Sequence, residues 1–143
     1  MKKEATTILI VDAQGGGLGK QLISSIRKEI NDVYILAVGT NTAATTAMLK
    51  AGADAAATGE NPVIVASRKA DFIIGPIGMI IANAMLGEIT PAMARAIAEA
   101  DAKRILIPFS NCDNYIAGVS DLSTGHLIQD AVKQLRSHLT GDF

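Results

Sequence analysis

The sequence has few of the side chains that mark several common classes of protein. Its 143 residues include one cysteine and no tryptophan, and only 3% are aromatic. A single cysteine cannot form an intramolecular disulfide, which favours a reducing, cytoplasmic location. The two histidines, His126 and His138, are 12 positions apart, and the sequence has no Cys-x-x-Cys or His-x-x-x-His pair. We therefore expect no metal site.

Charged residues are also scarce, at 19% against about 25% in a typical soluble domain. The net charge is −1 and no basic block occurs, so the electrostatic footprint of a nucleic-acid-binding protein is missing. The aromatic residues are too few for a base-stacking platform. The uncharged stretch Phe72–Gly87 is 16 residues long and is interrupted by glycine and proline, whereas a membrane-spanning helix needs about 20 apolar residues. We expect neither a nucleic acid nor a membrane as a partner.

Short apolar runs alternate along the chain with segments that have apolar residues at helical spacing. This alternation is typical of a mainly parallel sheet covered by helices. We predict one α/β domain over residues 1–143, a three-layer sandwich with five to six strands in the order 3-2-1-4-5. Met79–Leu86 is apolar apart from Asn83 and is predicted to be a buried helix. The predicted strands are Thr7–Val11, Val33–Val38, Ala55–Ala57, Phe72–Ile74 and Arg104–Pro108, and Asn114–Val119 is predicted to be a sixth extended piece.

Glycine and alanine are abundant, and the glycines cluster most strongly between the first predicted strand and the first predicted helix. A helix N-terminus offers unpaired amides and the positive end of the helix dipole, so glycines at this place favour a bound phosphate. The alternative is a tight strand–helix turn that binds nothing. Asp12, which ends the strand, would orient this loop or accept a ribose hydroxyl. The candidate binding residues here are Asp12, Gln14, Gly15, Gly16, Gly17, Leu18 and Gly19.

Two enzyme families share parts of this loop. Gly17–Gly19 resembles the end of the Gly-x-x-x-Gly-x-Gly turn of short-chain dehydrogenases, and Ser110 and Tyr115 lie where those enzymes carry catalytic residues. Val119, however, stands at the position of their lysine, and no acid follows the second strand. Gly16–Lys20 resembles the P-loop of the partitioning ATPases, but the next residue lacks the hydroxyl that would hold magnesium. We therefore rank an NADP-dependent oxidoreductase and an ATPase below a binding protein.

Small polar turns follow the other predicted strands as well. The carboxyl ends of parallel strands meet at one edge of the sheet, where ligands of open α/β sheets bind. If the first and fourth strands are adjacent, the loops Gly15–Gly19 and Gly75–Gly78 face each other across a crevice. The roles of Glu88, Cys112 and Tyr115 stay open, as does that of Glu60. The candidate binding residues in these turns are Gly39, Thr40, Asn41, Glu60, Gly75, Pro76, Gly78 and Ser110.

Seven segments together carry one further resemblance. They cover nearly all of the chain and resemble an uncharacterised bacterial family, domain of unknown function 3842. The resemblance implies a Rossmann-like, NAD(P)-binding-like fold and no assigned reaction, so no catalytic residue is carried over. The segments are Asp12–Gly19, Gly39–Asn41, Met48–Ala53, Ala57–Asn61, Gly75–Pro91, Leu106–Pro108 and Ala117–Val119.

The sequence thus predicts a small cytoplasmic protein that binds a nucleotide or another phosphate-bearing small molecule at Gly15–Gly19. NAD(P) is one candidate cofactor, and whether a reaction is catalysed stays open. Thr40 and Asn41 would lie near a ribose or base. The rival hypothesis is a non-catalytic interaction protein that forms homo-oligomers through the Met79–Leu86 region. Self-association is expected in either case, because a small, weakly charged domain has few other ways to cover apolar surface.

Overall fold

The computed structural model describes residues 5–108, 114–119 and 123–141. In these residues, five strands alternate with helices. The strands are β1 (Thr6–Asp12), β2 (Val33–Gly39), β3 (Ala55–Thr58), β4 (Phe72–Pro76) and β5 (Lys103–Ile107). The helices are α1 (Gly17–Glu29), α2 (Thr42–Ala51), α3 (Glu60–Lys69), α4 (Pro91–Glu99) and α5 (Thr124–Thr140), with a 3₁₀ segment at Ile77–Ile80.

The five strands form one parallel sheet in the order β3-β2-β1-β4-β5. This confirms the predicted α/β fold and strand order. The central strand β1 pairs with β2 from Thr6↔Val33 to Asp12↔Gly39 and with β4 on its other side. The chain order reverses between β1 and β4, and such a reversal leaves a crevice at the carboxyl ends of the two strands.

Both faces of β1 are buried, which explains its nearly continuous apolar run. Ile8 and Ile10 belong to a core that also contains residues of α1 and α5. Leu9 and Val11 belong to a second core, on the face covered by α3 and α4. Alternate residues of one strand therefore supply two separate cores.

The edge strand β3 is held in place although alanine is a poor strand former. Arg27 of α1 donates hydrogen bonds to the carbonyl oxygens of Gly52 (2.9 Å) and Val33 (3.2 Å) and to the carboxylate of Asp54 (2.6 Å). Asp54 also accepts a hydrogen bond from the amide of Ile35 in β2 at 2.8 Å. These contacts fix the start of β3 beside β2.

The predicted helix over Met79–Leu86 is wrong. A short 3₁₀ segment ends at Ile80, and turns occupy the following residues. Three residues in this stretch have a left-handed backbone that no α-helix allows: Asn83 (φ 65°), Met85 (φ 56°) and Leu86 (φ 58°). The amide of Asn83 donates to the carbonyl oxygen of Ile89 at 2.7 Å, which closes the stretch into a loop. Part of the stretch is buried, which accounts for its apolar composition. Met79, at its start, is fully buried.

The predicted sixth extended piece is also absent from the sheet. Residues 114–119 contain a turn and no strand in the part of the chain that the structure describes. The final helix begins as expected after Ser123, whose side chain accepts a hydrogen bond from the amide of His126 at 3.3 Å. Of the helices in the described ranges, none has the length and apolar character required to cross a membrane.

Candidate functional site

The glycine-rich loop and the loop after β4 line one cleft at the carboxyl end of the sheet. The cleft has a volume of about 610 Å³, which lies within the usual range of about 300–1,000 Å³ for small-molecule sites. Its position above β1 and β4 is the crevice expected from the strand order. The lining residues are Asp12, Ala13, Gln14, Gly15, Gly16, Gly17, Leu18, Pro76, Ile77, Gly78, Ile81, Asn83, Ala84, Met85, Leu86 and Asn114.

Asp12 shapes the glycine-rich loop from beneath. The residue is only 5% exposed. One carboxylate oxygen accepts a hydrogen bond from the amide of Ala13 at 2.8 Å, and the other accepts one from the amide of Gly19 at 2.6 Å. Burial raises the pKa of Asp12 above its ordinary value, although these two hydrogen bonds favour the ionised form and act in the opposite direction. The structure therefore shows Asp12 orienting the loop, which is one of its two predicted roles.

The remaining amides of the loop divide into paired and unpaired groups. The amide of Gly16 donates to the carbonyl oxygen of Ala13 at 3.1 Å, and the amide of Lys20 donates to that of Gly16 at 2.9 Å. Gln14 donates its amide to Glu88 at 2.9 Å. By contrast, none of the described residues accepts a hydrogen bond from the amides of Gly15, Gly17 and Leu18. These three amides lie on residues that line the cleft.

The four glycines of the loop have different structural reasons for lacking a side chain. Gly16 has a left-handed backbone (φ 75°), and a Cβ there would lie 2.7 Å from the Cα of Ala44. A Cβ at Gly19 would lie 2.5 Å from the Sδ of Met48. At Gly15 and Gly17, an added Cβ meets no atom of the described residues within 4 Å. Packing against α2 thus explains two glycines, whereas the other two leave open space beside the cleft.

Glu88 joins three separate parts of the carboxyl edge. Its Oε1 accepts hydrogen bonds from the hydroxyl of Thr40 (2.6 Å), the Nδ2 of Asn41 (2.9 Å) and the amide of Gln14 (2.9 Å). The Nδ2 of Asn41 also donates to the carbonyl oxygen of Gln14 at 2.8 Å, and its Oδ1 caps α2 by accepting from the amide of Ala44. Burial acts to raise the pKa of Glu88, but the hydrogen bonds outweigh it and hold the pKa below its ordinary value. Glu88 is therefore an ionised anchor at the end of β2.

The predicted site residues occupy three kinds of position. The cleft is lined by Asp12, Gln14, Gly15, Gly16, Gly17, Leu18, Pro76 and Gly78. Thr40 and Asn41 lie beside it, at the Glu88 cluster. Gly19, Gly39 and Gly75 are packing glycines, since a Cβ at Gly39 would lie 2.5 Å from the Oγ1 of Thr45 and one at Gly75 would lie 2.5 Å from the carbonyl oxygen of Val11.

The other predicted candidates do not line the cleft or lie outside the described residues. Glu60 is an exposed residue in the first turn of α3, after the edge strand β3. Tyr115 is 88% exposed. Ser110 and Cys112 lie outside the described residues. Thr40 and Asn41 differ from these candidates, because the side chain of each donates a hydrogen bond to Glu88.

Sequence reasoning missed the apolar wall of the cleft and left the role of Glu88 open. The wall comes from the loop that was predicted to be a helix, and it includes Ile81, Met85 and Leu86. Leu86 is 98% exposed. In the sequence, Glu88 stands among uncharged neighbours, which indicates that this acid has a specific role. The pattern does not show which residues Glu88 contacts.

The electrostatic character of the cleft is set by backbone rather than by basic side chains. Among the described lining residues, Asp12 is the one that carries a charge, and there is no lysine or arginine. Lys20, although next to the loop in sequence, lies with Thr42, Thr46 and Lys50 on the outer side of α1 and α2. An anion in this cleft would therefore be held by amides and the dipole of α1.

Comparisons with known proteins identify a family and one distantly similar solved structure. The family model described as Domain of unknown function (DUF3842) matches residues 7–140. No curated protein matches the sequence. One similar solved structure is described as the dodecameric FMN-dependent Ubix-like decarboxylase from Escherichia coli O157:H7. The two chains are 18% identical, the match covers 90% of this chain and 76% of that one, and the TM-score is 0.44.

Proposed function

We propose that this chain, which belongs to the family described as Domain of unknown function (DUF3842), binds a nucleotide or another phosphate-bearing small molecule at the Gly15–Gly19 loop. One observation carries the proposal: the amides of Gly15, Gly17 and Leu18 lack an acceptor among the described residues and belong to the lining of a large cleft. The phosphate oxygens would accept hydrogen bonds from these amides. The family description assigns no reaction, and the proposal does not include one.

The physical support for this proposal is that the loop already holds its shape. Asp12 ties the amides at its two ends, those of Ala13 and Gly19. Two of the unpaired amides, those of Gly17 and Leu18, lie in the first turn of α1, where the helix dipole favours negative charge by about 0.3–1 kcal/mol near the surface and up to about 2 kcal/mol when partly buried. A ligand therefore does not need to order the loop on binding.

The direct test is a thermal-shift titration with NAD, NADP, ATP and AMP on the natural chain and on Gly17→Val. A ligand at about 100 times its Kd stabilises the folded state by about 2.7 kcal/mol, which corresponds to roughly 5–10 °C for a chain of this size. Because a Cβ at Gly17 lies more than 4 Å from the part of the chain that the structure describes, its immediate neighbours aside, the variant is expected to fold normally and to lose the shift. Lys20→Ala, outside the cleft, is the matched control and is expected to keep it.

Two results would contradict the proposed function. One is the absence of a shift with all four ligands. The other is an equal shift in the natural chain and in Gly17→Val, since the added side chain would stand beside two of the three unpaired amides.

A cytoplasmic location stays a prediction that rests on the single cysteine.

A second candidate function, homo-oligomerisation through the Met79–Leu86 region, is favoured by the exposure of Leu86. Met79 is fully buried and Met85 packs against the core, so Leu86 is the large apolar side chain that this region presents to solvent. The expected result is a multimer in light scattering that dissociates in Leu86→Ser. A monomeric natural chain would remove this candidate and would leave Leu86 as a wall of the binding cleft.

A further inference from the structure

Glu88 presents one anchored and one available carboxylate oxygen at the carboxyl end of β2. Its Oε1 accepts three hydrogen bonds, from Thr40, Asn41 and the amide of Gln14. Three donors on one oxygen fix the plane of the carboxylate. The side chain cannot rotate away without breaking all three contacts.

The second oxygen, Oε2, receives no hydrogen bond from any residue in the ranges 5–108, 114–119 and 123–141. An ionised carboxylate is purely an acceptor with about four lone-pair sites, so the remaining capacity of Glu88 lies mainly on Oε2. The residue is partly exposed, which leaves this oxygen open to a hydroxyl from solution. Burial raises the pKa of Glu88, but the hydrogen bonds to its carboxylate outweigh burial and hold the pKa below its ordinary value. The group is therefore ionised at neutral pH.

The Glu88 carboxylate lies at a place where dinucleotide-binding sheets carry an acid that binds the ribose. In such sheets an acid that follows the second strand hydrogen-bonds the ribose hydroxyl, while the phosphate rests on the glycine loop after the first strand. This chain has Gly39, Thr40 and Asn41 at the end of β2 and no acid. Glu88 reaches the same corner from the loop that follows β4, and it is fastened there by Thr40 and Asn41.

We propose that Glu88, which lies beside the cleft and is hydrogen-bonded to the lining residue Gln14, determines ligand specificity, with Oε2 accepting hydrogen bonds from the vicinal hydroxyls of a ribose whose phosphate lies on the Gly15–Gly19 loop. The inference rests on the proposed function and narrows it to a ligand class, the ribonucleoside phosphates with a free 2′,3′-diol. Gln14 connects the two parts of the site, because its amide binds Glu88 and its neighbour Gly15 carries one of the unpaired amides.

The same geometry selects against a ligand with a phosphate on the ribose 2′-oxygen. Such a group would place a second anion beside the Glu88 carboxylate. The described cleft lining supplies no lysine or arginine to neutralise it. The ligand preference expected from Glu88 is therefore NAD-like rather than NADP-like.

A purely structural role for Glu88, as a fastener of the loop after β4, makes a different prediction. In Glu88→Gln, the side-chain oxygen can still accept from Thr40, Asn41 and the amide of Gln14, so the fastening is kept. The Oε2 position becomes an amide nitrogen, which cannot accept a hydroxyl hydrogen. Glu88→Ala removes both functions and serves as the control that loses the fastening.

The test is isothermal titration of AMP, 2′,3′-dideoxy-AMP, adenosine 2′,5′-bisphosphate and inorganic phosphate into the natural chain and into Glu88→Gln. Loss of a hydrogen bond to a charged group corresponds to an affinity change of about tenfold to hundredfold. We expect the natural chain to bind AMP by that factor more tightly than the dideoxy and bisphosphate ligands. Glu88→Gln is expected to bind AMP as weakly as dideoxy-AMP, with a melting temperature closer to that of the natural chain than to that of Glu88→Ala.

The outcomes separate this inference from the proposed function. Equal affinity of the natural chain for AMP and dideoxy-AMP overturns the inference and leaves phosphate binding in place. The inference is also overturned if Glu88→Gln keeps the full preference for AMP, or if inorganic phosphate binds and AMP does not. Absence of binding by all four ligands overturns both proposals. A preference for AMP that Glu88→Gln abolishes, while its melting temperature stays above that of Glu88→Ala, supports both.

Discussion

Adjacent glycines in the loop after β1 are expected to respond very differently to one added methyl group. In Gly16→Ala, the new side chain must adopt a left-handed backbone (φ 75°), which costs about 1–2 kcal/mol. Its Cβ would also lie 2.7 Å from the Cα and 3.0 Å from the carbonyl oxygen of Ala44, and overpacking of this kind costs about 1–3 kcal/mol. The expected loss of unfolding free energy is therefore about 2–5 kcal/mol. In Gly15→Ala, the Cβ has no neighbour within 4 Å among the residues that the structure describes, and the change in unfolding free energy is expected to stay within about 0.5 kcal/mol.

The assay is equilibrium urea unfolding, followed by circular dichroism, for the natural chain and the two variants. Gly141→Ala separates the two costs, because Gly141 has nearly the same backbone angles as Gly16 (φ 79°, ψ 9° against φ 75°, ψ 11°) and no described residue lies within 4 Å of its added Cβ. Gly16→Ala is expected to lose more than Gly141→Ala. If Gly15→Ala and Gly16→Ala lose the same free energy, the close approach of the loop to α2 is not what requires glycine, and the reasoning is refuted.

Three further perturbations test the polar contacts at the carboxyl edge. Asp12→Ala leaves the amides of Ala13 and Gly19 without acceptors. The expected loss of unfolding free energy in urea is about 2–4 kcal/mol. A loss below about 1 kcal/mol would contradict the role of Asp12 in holding the loop. The stability contributed by Glu88, whose folded pKa is lowered, is present above its ordinary value of 4.5 and is lost as the pH falls through the folded value. The stability difference between the natural chain and Glu88→Ala is thus expected to shrink below about pH 4.5 in unfolding measured from pH 6 to pH 3, and a constant difference would exclude this linkage. Asn41→Ala removes the cap of α2 and two side-chain hydrogen bonds. The expected loss of unfolding free energy is about 1–3 kcal/mol. The control is the exposed neighbour in Thr42→Ala, for which the change is expected to stay within about 0.5 kcal/mol.

The sheet and the location of the cleft were predictable from the sequence because both follow from local patterns. The buried run Ile8–Val11 marks the central strand, and the alternation of strands and helices leads to a parallel sheet with known connection rules. Once β1 and β4 are neighbours, the loops after them must face each other. The observed cleft between Gly15–Leu18 and Pro76–Gly78 follows from that arrangement.

The individual roles within the cleft were not predictable, because they depend on partners distant in sequence. Gly16 and Gly19 need to be glycine because α2 lies behind them, and the presence of four glycines within five residues does not show which of them have this requirement. Glu88 contacts residues 47, 48 and 74 positions away, so its importance appears only in the folded chain. The loop around Met85 was misread because apolar composition reports burial and does not distinguish a helix from left-handed turns.

The carboxylate of Asp12 has a consequence for how a ligand is captured. By binding the amides of Ala13 and Gly19, it closes residues 12–19 into a hydrogen-bonded ring whose free amides are preorganised before any ligand arrives. A preorganised ring pays little conformational entropy on association, and its backbone is expected to move by less than about 1 Å between free and bound states. Under the proposed function, a ligand at this end of the cleft is expected to meet a preformed loop, and adaptation to its shape is expected in the apolar loop on the opposite wall.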